Sequence, residues 1–471
     1  MHLFLLATLL LQINNLSAFV VIRPTSFSDG YSTTSVFASD SNSAFTPDES
    51  KKNTVSSRNT ISPTELISNI LKTSFLAACV WTTSSLMMTP MQQYPTAFVA
   101  NAKEMASGSG SRVNKDPESL LRYGLPIPND KPVRELQSAI EEIKINIASK
   151  RKLAALDNIK KTRQILNSQS TLFTNKMCRD SDTCTTIIKS MSETLTPLEN
   201  ALKDASNFLQ GSDQERNALD TAYTYQDTLQ KSLSLLEENM VPANYKTIVP
   251  SEYSDLPQLQ GRATVEFILQ KSDGSPYVLD GKDYNEAKLV MIIDGYTAPI
   301  TSGNFIDLVQ KGFYNKMNIQ RSDGFVVQTG DPDGDAVGYV GKPSKAVGAG
   351  KNGERLIPLE VFTRGDTAPF YESTLDESDK GGQATILPFS SYGAMGWARE
   401  EYDNNSGSSQ FFWLLFDSDL TPAGKNMLDG RYPCFGYVVE GADFLRDIKE
   451  GDVIVSTKVL SGIERLVPAK E

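Results

Sequence analysis

Histidine is almost absent from this chain of 471 residues; the only one is His2, inside a segment that reads as cleavable. The mature protein is therefore closed to Ser-His-Asp and Cys-His nucleophilic centres, imidazole-based zinc sites and histidine general bases. Cysteine is scarce as well, at four, and Cys79 falls in the same removable region. Of the three that remain, Cys178 and Cys184 flank the polar string Arg179-Asp180-Ser181-Asp182-Thr183, and no Cys-x-x-Cys redox spacing occurs. In an oxidising compartment these two would staple the loop; otherwise they are two unpaired thiols, and the sequence leaves both readings open. Positive charge is short too. The net charge is -11 and the pI about 4.9, which argues against nucleic acid as a partner, since basic patches supply most of that affinity.

The first hundred residues lack any core-forming pattern. Leu3 to Leu11 is a nearly unbroken apolar run, too short to span a bilayer, and Leu16-Ser17-Ala18 before Phe19 reads as a small-residue cleavage site. Residues 1–18 are thus expected to be a signal peptide. A Ser-, Thr- and Asn-rich stretch from about 25 to 65 follows, then a second mostly apolar run from Ile67 to Met88, then Ala100-Asn101-Ala102 as an A-x-A site. This order resembles the targeting of thylakoid-lumen proteins in algae with secondary plastids, so residues 19–102 are expected to be a plastid transit and thylakoid-transfer presequence. The alternative is a secreted protein whose second apolar run is a membrane anchor.

Residues 103–241 read as helical. Val133, Leu136, Ile140, Ile143 and Ile147 step by three and four along one helix face. Leu195, Leu198, Leu202, Ala205 and Leu209 do the same before Gly211, and Ser212 with Glu215 forms a capping box for the next helix. Several helices with one apolar face each can hide those faces only against one another, which predicts a bundle with all these stripes in its core. Pro242, Pro250 and Pro257 mark residues 242–260 as a semi-stiff linker. From residue 261 to 471 short apolar runs bounded by turn residues predict a strand-rich domain, with the Gly-, Pro- and Asp-rich stretch from about 332 to 390 as surface insertions.

Two strings in that last part carry the chemistry: Gly324-Phe325-Val326-Val327-Gln328-Thr329-Gly330-Asp331, with Arg321 just upstream, and Ser406-Gly407-Ser408-Ser409-Gln410-Phe411-Phe412. Ala298-Pro299-Ile300-Thr301-Ser302-Gly303-Asn304-Phe305 and Leu428-Asp429-Gly430-Arg431 followed by Phe435-Gly436 agree with them in order. Together they resemble the cyclophilins, a family of peptidyl-prolyl cis-trans isomerases. With the string Asp116-Pro117-Glu118-Ser119-Leu120-Leu121-Arg122 and the helical region, the chain resembles the large thylakoid-lumen cyclophilins, in which a PsbQ-like helical domain precedes the isomerase fold. The resemblance implies a helical bundle followed by a closed antiparallel β-barrel with two short helices. It implies proline-containing client segments as substrate and photosystem II subunits as clients. A membrane is expected to be met only at its surface, if at all.

Such an enzyme breaks no covalent bond and needs neither cofactor nor proton shuttle, so it survives the lack of histidine. Carried onto this chain, the resemblance makes Arg321 the donor to the prolyl nitrogen and Gln328 the group that holds a substrate carbonyl or orders Arg321. Phe325, Val326, Phe412 and Leu428 would form the proline pocket, with Gly396, Met427 and Tyr432 at substrate-binding positions. Gln410, on the same wall, is assigned to packing or backbone support. The departures are specific. Ile319-Gln320-Arg321 replaces Phe-His-Arg, Arg321 stands one residue nearer Phe325 than usual, and Asp323 is placed to pair with it. Met427 replaces a tryptophan, Tyr432 a histidine, and Gly396-Trp397 the usual Ala-Asn. These changes give a second reading, a weak or inactive isomerase fold that binds peptides as an assembly scaffold under control of the helical domain.

Overall fold

A computed structural model describes residues 113–416 and 426–470. The expected signal peptide, presequence and first part of the helical segment lie outside the described residues.

Five helices come first: α1 (Pro117–Tyr123), α2 (Lys131–Ala148), α3 (Lys152–Leu172), α4 (Ser181–Asn207) and α5 (Asp213–Met240). Asp116 caps α1, its carboxylate accepting from the amides of Glu118 and Ser119, with Pro117 in the first turn where its missing N–H costs nothing. The capping box forms at α5. Ser212 Oγ accepts from the Glu215 amide at 3.2 Å, and the Glu215 carboxylate reaches back to the amide of Gly211. The stripes on α2, α4 and α5 bury as their spacing requires, with Val133, Leu136, Ile140, Leu195, Leu198, Leu229 and Leu233 all at 0% exposure. Leu209 does not. Helix α4 ends at Asn207, Phe208 turns extended at φ −91° and ψ 156°, and Leu209 projects into solvent. Counting by threes and fours therefore overran the helix by half a turn. Cys178 and Cys184 form a disulfide across the loop into α4, which decides between the two readings of that pair.

The barrel has eight antiparallel strands: β1 (Arg262–Gln270), β2 (Ala287–Asp294), β3 (Met317–Ser322), β4 (Val326–Thr329), β5 (Ala394–Trp397), β6 (Phe411–Leu414), β7 (Cys434–Glu440) and β8 (Val453–Ser461). Its closed order is β5-β6-β4-β3-β8-β1-β2-β7. Strict alternation on β1 sends Val265, Phe267 and Leu269 inward to meet Leu289, Met291, Val327, Phe411 and Trp413. Helix α6 (Pro299–Gln310) covers one end, burying Ile300, Phe305, Ile306 and Leu308.

Two expectations change. Residues 242–260 are no free tether. Tyr253, Leu256 and Leu259 belong to the barrel core, Thr247 Oγ1 donates to the Tyr296 carbonyl at 2.7 Å, and Gln258–Leu259 pairs with Leu466–Val467. Gly303 permits this strap to lie on α6, since a Cβ there would sit 2.4 Å from the Gln258 Cα. The stretch 332–390 is likewise more than surface insertion. It buries Ile357, Leu359, Val361, Leu375, Leu387 and Phe389, and its buried Glu360 accepts from the Ile300 and Thr301 amides at the start of α6.

Bundle and barrel share a buried seam. Tyr296 of the barrel belongs to the bundle core, and its hydroxyl donates to Glu238 at 3.0 Å. Arg262 donates to Asp294 at 2.6 Å and to the Leu121 carbonyl at 2.5 Å, and faces Glu238 at 3.7 Å. Each domain therefore supplies charges that the other satisfies.

Candidate active site

Register, more than sequence proximity, assembles the site. On β6, Phe411 and Trp413 point into the barrel, so Phe412 and Leu414 must point out. Phe412 stands opposite Gln328 on β4 on one side and opposite Gly396 on β5 on the other. Gln328 in turn stands opposite Arg321 on β3, because an irregularity in register between Ile319 and Arg321 re-aims that strand. The result is one row across four adjacent strands: Arg321, Gln328, Phe412, Gly396. At about 4.8 Å per strand it runs about 14 Å, the length of a peptide of about four extended residues.

Gly396 leaves room for the neighbouring ring. A Cβ on it would lie 2.1 Å from Phe412 Cζ, so any side chain here would displace the aromatic. Phe389 stacks on Phe412 with ring centres 5.8 Å apart, and Tyr432 meets it edge-on, also at 5.8 Å. Val326, Phe412, Leu428 and Tyr432 share one buried apolar cluster, against which Phe325 packs half-buried. Leu120 and Leu121 of α1 belong to the same cluster. Met427 stands apart from it, 46% exposed, while the next residue, Leu428, is buried. Asn426 sets that break by accepting from the amides of Leu428 and Asp429.

Residues 282–465 match the cyclophilin type peptidyl-prolyl cis-trans isomerase/CLD family. Residues 116–241 match the PsbQ-like domain of the CYP38-like peptidyl-prolyl cis-trans isomerases. Over 354 residues the chain is 40% identical to the chloroplastic peptidyl-prolyl cis-trans isomerase CYP38 of Arabidopsis thaliana, covering 75% of each. Over 358 residues it is 38% identical to a putative thylakoid lumen peptidyl-prolyl cis-trans isomerase of Synechocystis sp., covering 75% of this chain and 84% of the relative. The chain belongs to the cyclophilins. Its expected two-part architecture, helical domain before barrel, is also the one observed.

In this cyclophilin the charged group of the row is already engaged. The guanidinium of Arg321 donates through Nε to Asp323 Oδ2 at 2.8 Å and through Nη2 to the same oxygen. The other oxygen of Asp323 accepts from the amides of Phe325 and Val326, at 2.9 and 3.0 Å. Burial by itself would raise the Asp323 carboxyl; the two amides and then Arg321 outweigh it and hold the group below its usual range. Asp323 thus fixes the loop before β4 and the direction of Arg321 at once. Gln328 donates to Gln410 Oε1 at 2.9 Å, and Gln410 donates to the Val337 carbonyl at 2.8 Å. Gln410 therefore orients Gln328, in keeping with a supporting place.

Sequence reading missed Phe389 and Arg399, and the partner of Asp429. Phe389 lies in the stretch taken for insertion, and only the fold brings it onto Phe412. Arg399 lies over the Tyr432 ring at 5.2 Å and donates to the Arg431 carbonyl, holding the loop that carries Leu428 and Tyr432. Asp429 accepts from the Phe389 amide at 2.7 Å. The Leu428-Asp429-Gly430 string already marked that aspartate, though not its partner.

Proposed function

We propose that this cyclophilin acts in the thylakoid lumen as a prolyl isomerase and folding factor, with photosystem II subunits as clients during assembly and repair. The location is supported by the printed names of its chloroplast and thylakoid-lumen relatives and by the expected N-terminal targeting order. The PsbQ-like match supports the photosystem connection. One observation carries the chemistry: the row Arg321, Gln328, Phe412, Gly396 on adjacent strands.

Rotation of a prolyl amide meets a barrier of ~18–20 kcal/mol, because the planar bond is partly double. At the twisted transition state resonance is lost and the nitrogen becomes pyramidal and basic. Arg321, always charged and rigid in its donors, stabilises that nitrogen more than it does either planar form. The proline ring rests against Phe325, Val326, Phe412 and Leu428, beside Tyr432 and over Gly396, with Met427 at the rim. Gln328, oriented by Gln410, holds a flanking carbonyl. Each ten-fold of acceleration needs ~1.4 kcal/mol from these contacts. Tetrapeptide isomerisation by residues 103–471 tests the reading; turnover that Arg321→Ala leaves intact rejects it. Failure to recover photosystem II subunits with the tagged protein from thylakoids rejects the clients alone.

The second reading is a weak or inactive isomerase that binds peptides and is regulated by its helical domain. Two observations favour it: Arg321 is bound to Asp323, and Leu120 and Leu121 share the pocket's apolar cluster. A segment beginning at residue 242 keeps Tyr253 and Leu256 in the barrel core. Tighter peptide binding by this segment than by residues 103–471 supports the second reading, and equal affinity rejects it.

A further inference from the structure

The turns α2–α3 and α4–α5 lie at the same end of the bundle. Lys152 ties them together, its Nζ donating to the Ala205 carbonyl at 2.9 Å and to Glu215 at 2.5 Å. Among the described residues of the helical domain, four large apolar side chains are exposed: Leu153, Phe208, Leu209 and Leu235. Three of the four sit at this end, with Leu153 77%, Phe208 42% and Leu209 83% exposed.

Charge is concentrated at the same place. Residues 148–156, at the turn itself, hold Lys150, Arg151 and Lys152 and no acid, in a chain whose net charge is -11. Lys150, at φ 54°, and Arg151 stand exposed in the turn itself. Across from them, residues 203–216 carry Lys203 and Arg216 against Asp204, Asp213 and Glu215. Two of these acids are already engaged, Asp213 with Arg216 and Glu215 with Lys152. The surplus at this end is therefore positive.

We propose that this end of the bundle docks on an anionic lipid surface, with Leu153, Phe208 and Leu209 entering the headgroup layer and Lys150 and Arg151 facing lipid phosphates. Size decides for lipid over protein. Three side chains projecting from two turns fall well short of the roughly 800 Å² per partner that a stable protein interface buries. They are enough for an interfacial anchor, in which a few apolar groups enter the headgroup boundary and cations add to the attraction. The charge pattern favours this orientation, since an acidic chain as a whole is repelled by such a surface while its basic end is attracted. No helix among the described residues is long and apolar enough to cross a membrane, so the contact is a reversible one at the surface.

The test is flotation of residues 103–471, which omit both N-terminal apolar runs, with two kinds of vesicle. One is pure phosphatidylcholine and the other equal parts phosphatidylcholine and phosphatidylglycerol. Binding is expected to the second kind and to weaken with salt. Phe208→Ser/Leu209→Ser and, separately, Lys150→Glu/Arg151→Glu should each lower partitioning by about ten-fold or more. All four positions are exposed, so thermal unfolding and peptide isomerisation should match the parent chain and exclude misfolding. Absence of binding to anionic vesicles overturns the proposal, and so does equal binding by the parent and both variants. Concentration-dependent self-association abolished by Phe208→Ser/Leu209→Ser, without vesicle binding, would assign the end to a second copy of the chain and overturn it too.

Discussion

In the bundle the long stripes at helical spacing have one main destination, the space between helices. In the barrel an apolar residue on β4 or β6 has two, the interior or the outer face where the site lies, and a shift of one position exchanges them. Phe411 and Phe412 are chemically identical neighbours; one fills the core and the other forms the row with Arg321 and Gln328. Periodicity alone thus locates a core in the first domain, whereas in the second strand pairing must be known before core and site can be separated.

The sharpest way to break that comparison is at the seam. Arg262→Ala leaves Asp294 buried at 0% exposure without its cation, so stability should fall by about 3–5 kcal/mol, read by denaturant titration. If bundle and barrel then unfold in separate steps, the seam is what makes them cooperative. Next comes Arg321→Ala. As the loss of a preorganised electrostatic donor, it should lower kcat/KM by about 100-fold or more while leaving the melting temperature unchanged. An equal loss of stability would place Arg321 with the structural residues.

A smaller effect, on the barrel alone, is set by pH. Burial pushes the Glu360 carboxyl up to about 7, although it accepts from Ile300, Thr301 and Tyr371. A carboxyl whose folded value exceeds its unfolded one holds its proton more tightly when folded. Barrel stability should therefore rise as pH falls from about 8 towards about 5, by at most about 3 kcal/mol. Glu360→Gln should flatten that rise in denaturant titrations at several pH values. Gly396→Ala is expected to cost about 1–3 kcal/mol by overpacking, and to weaken peptide binding by moving the Phe412 ring. Calorimetry showing unaltered affinity would remove Gly396 from the site. The smallest change is Asp323→Asn. It keeps an acceptor for the Phe325 and Val326 amides but removes the carboxylate charge that pairs with Arg321, and should raise turnover by about three-fold. A fall in rate would mean that Asp323 presents Arg321 to the substrate.

The helical stripes were legible because their spacing alone carries the information, and the two glutamine-aromatic strings because they resemble those of the cyclophilins. Three features were not. Leu209 fits its stripe by count, but Phe208 leaves the helix before the stripe is complete. The prolines of 242–260 suggest a tether, yet Tyr253 and Leu256 pack in the barrel core. Phe389 lies in a Gly- and Ser-rich stretch whose local composition says nothing of the ring it stacks on. The last two misses depend on partners far away in sequence, which local pattern cannot name.

The position of β8 bears on the order of synthesis. That strand sits between β1 and β3, and the strap at Gln258–Leu259 waits for Leu466–Val467. The barrel therefore cannot close until β8 has been made, nor the strap pair until Leu466–Val467 has. The bundle, built from neighbouring helices, can fold as soon as α5 emerges. For the interval between, the β-strands are exposed while their helical neighbour is complete. This cyclophilin must therefore pass through a stage with unpaired edges, with its own first domain as the nearest surface to shelter them.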